Sequence, residues 1–125
     1  MEEIDTEIRK FVTKYPHVKM LLKKGEYGSA IYYMDSDYTI KQIDEPAYKF
    51  EDFPDLKLVD STAAGDCFTG AFALKMLDSA DYSDENLQSV LKFANKVGFL
   101  CITKFGAVPS IPTMEDVKRV FKVTE

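Results

Sequence analysis

The sequence predicts an α/β fold: one amphipathic helix, a β-meander, then a set of helices. Two patterns divide the chain that way. Between residues 18 and 43, three short apolar or alternating runs are separated by Gly25 and Gly28 and by Asp35-Ser36-Asp37, which is turn chemistry at meander spacing. On either side, apolar residues recur at helical spacing. A third observation is bulk composition. The 125 residues are 46% hydrophobic and 13% aromatic, enough to fill a core, which argues against disorder.

Each element follows in order. Ile4, Ile8, Phe11 and Val12 predict a helix over about residues 3–14, ended by Tyr15-Pro16 because proline disfavours α conformation in the residue before it. Strands are expected at 18–23, 29–34 and 38–43. Residues 44–56 are polar, with Pro46 and Pro54, and read as loop with one short extended piece. A buried helix is expected from Asp66 to about Leu77. Ser83 is the expected N-cap of a long helix, with Asp84 and Glu85 in its first turn. Its apolar stripe runs Leu87, Val90, Leu91, Ala94, Val97, Leu100 and Cys101, and Phe105-Gly106 breaks it. Thr113 with Asp116 makes a capping-box pattern for a last helix through about Lys122.

Bulk properties exclude some classes of function. A net charge of -5 leaves no basic footprint, so nucleic acid is not an expected partner. No apolar run has membrane-spanning length and Met1-Glu2-Glu3 is unlike a signal, so no membrane association is expected. Cys67 and Cys101 both lie in apolar helical contexts. They suit a reduced, cytoplasmic interior rather than a disulfide.

The stretch Asp60-Ser61-Thr62-Ala63-Ala64-Gly65-Asp66 carries the chemistry. Small residues let backbone amides approach an anion, and a helix N-terminus adds unpaired N–H donors and partial positive charge. A carboxylate at that point is either a cap or, beside a bound phosphate, a base for an attacking hydroxyl. Taken alone, the motif leaves both readings open, with the cap the simpler. Lys24-Gly25-Glu26-Tyr27-Gly28 fits neither the Walker pattern nor the dinucleotide fingerprint and by itself reads as a hairpin turn. Asn95 interrupts an apolar helical face, either to meet a ligand or to satisfy backbone. His17, the single histidine, reads as a surface residue, and no metal-binding cluster is visible.

Taken together, these pieces resemble the ribokinase-like carbohydrate kinases, the PfkB family. Val59 to Asp66 with Cys67-Phe68-Thr69-Gly70-Ala71 resembles that family's second signature. Ala94-Asn95 and the run from Thr103 to Thr113 resemble its closing segment, and the turn at Gly25 and Gly28 falls where the family has its nucleotide-side glycine turn. The resemblance spans essentially the whole chain but matches only the C-terminal part of the family's usual length. It implies the C-terminal part of a Rossmann-like ribokinase-type fold, with an incomplete sheet, forming one ATP-binding and catalytic portion over residues 1–125.

The resemblance also implies roles. Asp66 would be the general base, and the amides of Ala64, Gly65 and Asp66 the anion hole. Lys24, Gly25, Gly28, Ala63 and Asn95 would lie along ATP. A monovalent cation, usually potassium, would be held by side-chain oxygens of Asp60 and Ser110 and mainly by carbonyls of Thr62, Cys101, Lys104 and Gly106. Magnesium would accompany ATP, but the motif that arranges it belongs to the N-terminal half of the family, as do the residues that choose a sugar or nucleoside acceptor. An exposed apolar surface and an open sheet edge are therefore expected, with dependence on an N-terminal half or a second chain, and homodimerisation is open. The rival expectation is an inactive fragment or pseudoenzyme that only binds nucleotide or a partner.

Overall fold

The computed structural model describes residues 2–79 and 81–121. Four helices, α1 (Glu2–Lys14), α2 (Ala64–Ser79), α3 (Asp84–Cys101) and α4 (Met114–Phe121), accompany three strands, β1 (Met20–Lys23), β2 (Ser29–Met34) and β3 (Ile40–Glu45). Short 3-10 turns occupy Gly25–Tyr27, Phe50–Asp52 and Val108–Ser110. The strands form one antiparallel sheet in the order β1-β2-β3, with Leu21 opposite Ile31 and Ile31 opposite Ile43.

Strand alternation sorts the side chains into two cores. Ala30 and Tyr32, with Met20, Leu22 and Met34, pack under Ile8 and Val12 of α1. On the other face Ile31 and Ile43, with Leu21 and Tyr33, join Phe68 and Ala71 of α2 and Leu87, Leu91 and Ala94 of α3. The result is three layers: α1, the sheet, and the α2–α3 pair. Leu87 and Leu91 are fully buried, and truncating such a leucine to alanine costs about 2–5 kcal/mol.

The helix signals behave as their chemistry requires. Ser83 Oγ accepts the Asn86 amide at 3.3 Å. Thr113 and Asp116 bond reciprocally, the Thr113 amide to Asp116 Oδ2 at 2.9 Å and the Asp116 amide to Thr113 Oγ1 at 3.1 Å. Those bonds from Thr113 hold the Asp116 carboxyl below its ordinary range.

Several boundaries differ from the sequence reading. β1 starts at Met20 rather than residue 18, and β3 spans 40–45 rather than 38–43. The cause of the second shift is a longer turn: Asp35 Oδ1 accepts the amides of Asp37 and Thr39, and Tyr38 adopts a φ of 60°. α2 starts at Ala64, because Ala63 takes the left-handed turn at φ 66° and frees Ala64 and Gly65 to enter the helix. α3 ends at Cys101, ahead of the expected break at Phe105-Gly106. Its C-cap carbonyl, on Ile102, is taken by the amides of Val59 and Asp60. Residues 44–56 contribute the end of β3 and a 3-10 turn, and Tyr48, Phe50 and Phe53 cluster with Phe99 and Phe121 instead of lying in solvent. The described part of α4 reaches Phe121, so its expected end at Lys122 lies outside the described residues.

Among the described residues both outer strands, β1 and β3, have one unpaired edge. Leu74, Leu77, Val108, Ile111 and Met114 are exposed. No helix of the described residues is long and apolar enough to cross a membrane.

Candidate active site

The first turn of α2 is positioned by the loop before it. The left-handed residue Ala63 reverses the chain, the Ala64 amide bonds Ser61 O at 3.3 Å, and the Cys67 amide returns to Ala63 O at 2.9 Å. Between them, the amides of Gly65 and Asp66 meet no acceptor among the described residues. They are the free donors that any helix start leaves. Asp60 fixes the approach. Its Oδ1 accepts the Thr62 amide at 3.0 Å and the Thr62 hydroxyl at 2.6 Å, while Oδ2 accepts the Gly106 amide at 2.9 Å. The Thr62 hydroxyl, then the Thr62 and Gly106 amides, hold the Asp60 carboxyl below the usual carboxylate range.

On one side of this turn lies a cleft of about 770 Å³. Gly25, Gly28, Ala64, Gly65 and Asn95 all line it, so the structure brings together most residues expected along a nucleotide. Gly25 has φ 58° and open space where a side chain would be. Gly28, at φ 98°, is tightly covered: an added Cβ would collide with the Glu45 carbonyl oxygen and lie 2.8 Å from the Ala47 nitrogen. Asn95 is buried and well bonded. Its Oδ1 accepts the Ser29 hydroxyl at 3.0 Å, and its Nδ2 donates to Pro46 O at 3.1 Å and Glu45 O at 3.3 Å. That amide ties α3 to the start of β2 and the exit of β3, shaping the cleft wall.

Lys24 is placed differently from its neighbours in the motif. Its ammonium pairs with Asp44 at 3.1 Å and does not line the cleft. Lys23 does, donating to Gly65 O at 3.3 Å and Thr69 Oγ1 at 3.2 Å. Strand parity was the available signal: Leu21 packs on the α2 side of the sheet, and residue 23 shares its face. Tyr48, Phe50 and Phe99 also wall the cleft, with Phe50 and Phe99 ring centroids 4.7 Å apart. Sequence reasoning passed over this aromatic side, although Tyr48, Phe50 and Phe53 fall within six residues.

On the other side of the turn, Asp66 and Ala63 open onto a separate groove of about 550 Å³. Its walls are mostly apolar, from α2 (Gly70, Ala71, Leu74), Val97 and the loop at Val108, Ile111 and Pro112. The split follows from helix geometry: successive residues diverge by about 100°, so Gly65 and Asp66 face different sides. The first turn of α2 is thus a common wall between two open spaces.

The residues expected around a monovalent cation gather at one corner. The Lys104 amide reaches Cys101 O at 3.5 Å, and Cys101 Sγ lies 3.8 Å from Thr62 O and 3.2 Å from Ser110 Oγ. Ser110 is fully buried and donates to Ala107 O at 2.6 Å. Cys67 Sγ lies 3.1 Å from Cys101 Sγ, and burial, then this contact, pushes the Cys67 thiol up to about 12. The oxygens present are of the kind a hard cation takes. For magnesium, no three His, Cys, Asp or Glu side chains come together among the described residues, so they offer no cage for it.

Comparisons with known proteins identify the family. The family model described as pfkB family carbohydrate kinase matches residues 1–114. Fructokinase-1 of Oryza sativa subsp. japonica is 34% identical over 110 residues, covering 86% of this chain and 31% of that protein. A ribokinase from Arabidopsis thaliana, solved in complex with ribose and ATP, superposes with a TM-score of 0.67 at 32% identity, covering 85% of this chain and 30% of that one. A ribokinase of Giardia lamblia, at 20% identity, shares the fold with a TM-score of 0.71 over 94% of this chain and 37% of its own. The chain therefore spans about a third of the length of these relatives. With the family model covering nearly its whole length, this chain belongs to the pfkB family of carbohydrate kinases.

Proposed function

We propose that the chain forms the ATP-binding and base-carrying part of a kinase that phosphorylates a hydroxyl of a sugar or nucleoside. The observation that supports this most is the shared wall. A phosphoryl group in transfer must meet its donor on one side and its acceptor on the other, and the first turn of α2 has an open space on each.

In this reading ATP occupies the cleft, its base against the aromatic wall of Phe50 and Phe99 and its phosphates running past Gly25 toward Gly65. The amides of Gly65 and Asp66 receive negative charge on the transferring phosphoryl oxygens, with the Ala64 amide holding the turn to Ser61. The acceptor hydroxyl enters from the groove, where the Asp66 carboxylate takes its proton. The acceptor oxygen bonds the γ-phosphorus, the bond to the β–γ bridging oxygen breaks, and ADP leaves with that electron pair. A magnesium ion on the phosphates would offset part of the polyphosphate charge. A potassium ion near Asp60 and Ser110 would add positive charge behind the amides, with the carbonyls of Thr62, Cys101, Lys104 and Gly106 completing its shell.

Transfer of labelled γ-phosphate from ATP to a panel of ribose, fructose, keto-deoxy acids and adenosine tests the proposal. Asp66→Asn is expected to reduce turnover about 10²–10⁴-fold, the usual contribution of a positioned base. Turnover near wild type in that variant would remove Asp66 from the role. ATP binding without transfer to any acceptor would favour a chain that only binds nucleotide.

A further inference from the structure

We propose a second ligand site on this chain, a basic pocket that takes a compact molecule carrying two or more phosphate groups. The pocket, of about 380 Å³, lies where the last turns of α2 meet α3 and α4. Its size falls in the range of small-ligand sites. Among the described residues Lys75, Lys92, Lys96 and Lys118 line it, with Asp78 as the one carboxylate, in a chain whose net charge is -5. Helical spacing explains the gathering. Lys75 with Ser79, Lys92 with Lys96, and Met114 with Lys118 each stand one turn apart, so each helix presents a stripe to the same space. The pocket shares no lining residue with the cleft, and Lys75 lies about 15 Å along α2 from Gly65.

The arrangement is unfavourable until an anion covers it. Lys92 and Lys96 repel as like charges one turn apart. Lys75, Lys92 and Lys118 have no carboxylate within ion-pair distance among the described residues, whereas Lys24, Lys41 and Lys104 each do. Two of the four ammoniums are held on half-buried stems, Lys75 Nζ at 4.6 Å from the Phe93 ring centroid and Lys96 Nζ at 5.5 Å from that of Phe121. Lys75, so held, keeps N–H donors that point away from the ring. Polar groups beside the lysines are already engaged. Asn86 Nδ2 donates to Ser79 Oγ at 2.9 Å and to Asp81 O at 2.7 Å, and Ser79 Oγ donates to Lys75 O at 2.9 Å. The ammoniums therefore supply the recognition. Lysine meets phosphate as a point charge, while a planar carboxylate is matched best by the arginine fork, and no arginine lines the pocket among the described residues. Several ammoniums around one space favour a ligand with more than one phosphate over a single ion.

Titration of the isotope-labelled chain with pyrophosphate, fructose 1,6-bisphosphate, inorganic phosphate and citrate, at fixed ionic strength and read by amide NMR shifts, tests the site. Saturable shifts confined to residues 75–79, 86–96 and 114–118 are expected. Pyrophosphate or the bisphosphate should bind about tenfold more tightly than phosphate or citrate, and the tighter of the two tells an inorganic ligand from a sugar ester. Lys92→Gln combined with Lys118→Gln, both at exposed positions, should weaken that binding about tenfold, the scale of one charge-assisted hydrogen bond. Lys10→Gln on α1, where the lysine pairs with Glu7, should leave it unchanged and controls for general charge loss. Shifts centred on residues 23–28 and 64–66 would put the probe in the cleft and overturn the second site. Shifts that never saturate, or equal affinity in the double variant, would overturn it as well. Citrate bound as tightly as pyrophosphate would overturn the phosphate assignment.

Discussion

The two spaces flanking the first turn of α2 are built in contrasting ways. On the cleft side the buried polar groups are bonded to protein: Asn95 to Ser29, Glu45 and Pro46, with the covered glycine Gly28 packed beneath the 45–47 chain. On the groove side Asp66 stands among apolar side chains, several of which are exposed, including Leu74, Val108 and Ile111. A wall whose polar groups are already satisfied keeps its shape without a ligand and can present free amides at fixed positions. A groove of bare apolar surface gains most from being covered. The chain thus carries one finished wall and one that is still uncovered.

Substitutions at graded depth break or sharpen that contrast, with urea denaturation as the common measurement. The largest effect is expected at Gly28→Ala. The new Cβ meets backbone, which has little room to yield, and φ 98° is strained for any L residue, so a loss of about 3 kcal/mol or more is expected. Stability within about 0.5 kcal/mol of wild type would mean the 45–47 chain is loose and the cleft side less rigid than drawn. Asn95→Leu comes next, at about 2 kcal/mol, because it strands the Ser29 hydroxyl and the carbonyls of Glu45 and Pro46. A neutral result would make Asn95 a residue kept for its ligand rather than its wall. On the groove side, Ile111→Gln should change stability by less than about 0.5 kcal/mol, as most exposed substitutions do. A larger loss would show that the groove is part of the core.

The same contrast separates what was legible in the sequence from what was not. Elements whose signals are local were readable: α1 by its apolar spacing, the meander by its turns, Ser83 and the Thr113–Asp116 pair by capping chemistry. The motif around Asp66 was readable because its small residues are contiguous. What depends on distant partners was not. The early end of α3 requires Val59 and Asp60 to reach Ile102, and the proximity of Cys67 to Cys101 requires α2 to lie on α3. The separation of Asp66 from Gly65 depends on the helix starting at Ala64, a boundary set by the backbone of Ala63. The different contacts of Lys24, which reaches Asp44, and Lys23, which reaches α2, likewise depend on partners 20 and 42 residues away.

The open edges of the sheet bear on how the chain behaves at high concentration. A bare strand edge is a template for another copy, and proteins blunt it by shortness and charge. β1 is only four residues long and ends in a lysine, while β3 carries Lys41, Gln42, Asp44 and Glu45. Edge-to-edge stacking is therefore disfavoured on both flanks. The groove face is less protected: a single carboxylate, Asp66, stands among its leucine, valine and isoleucine side chains, so clumping would start there rather than along the strands.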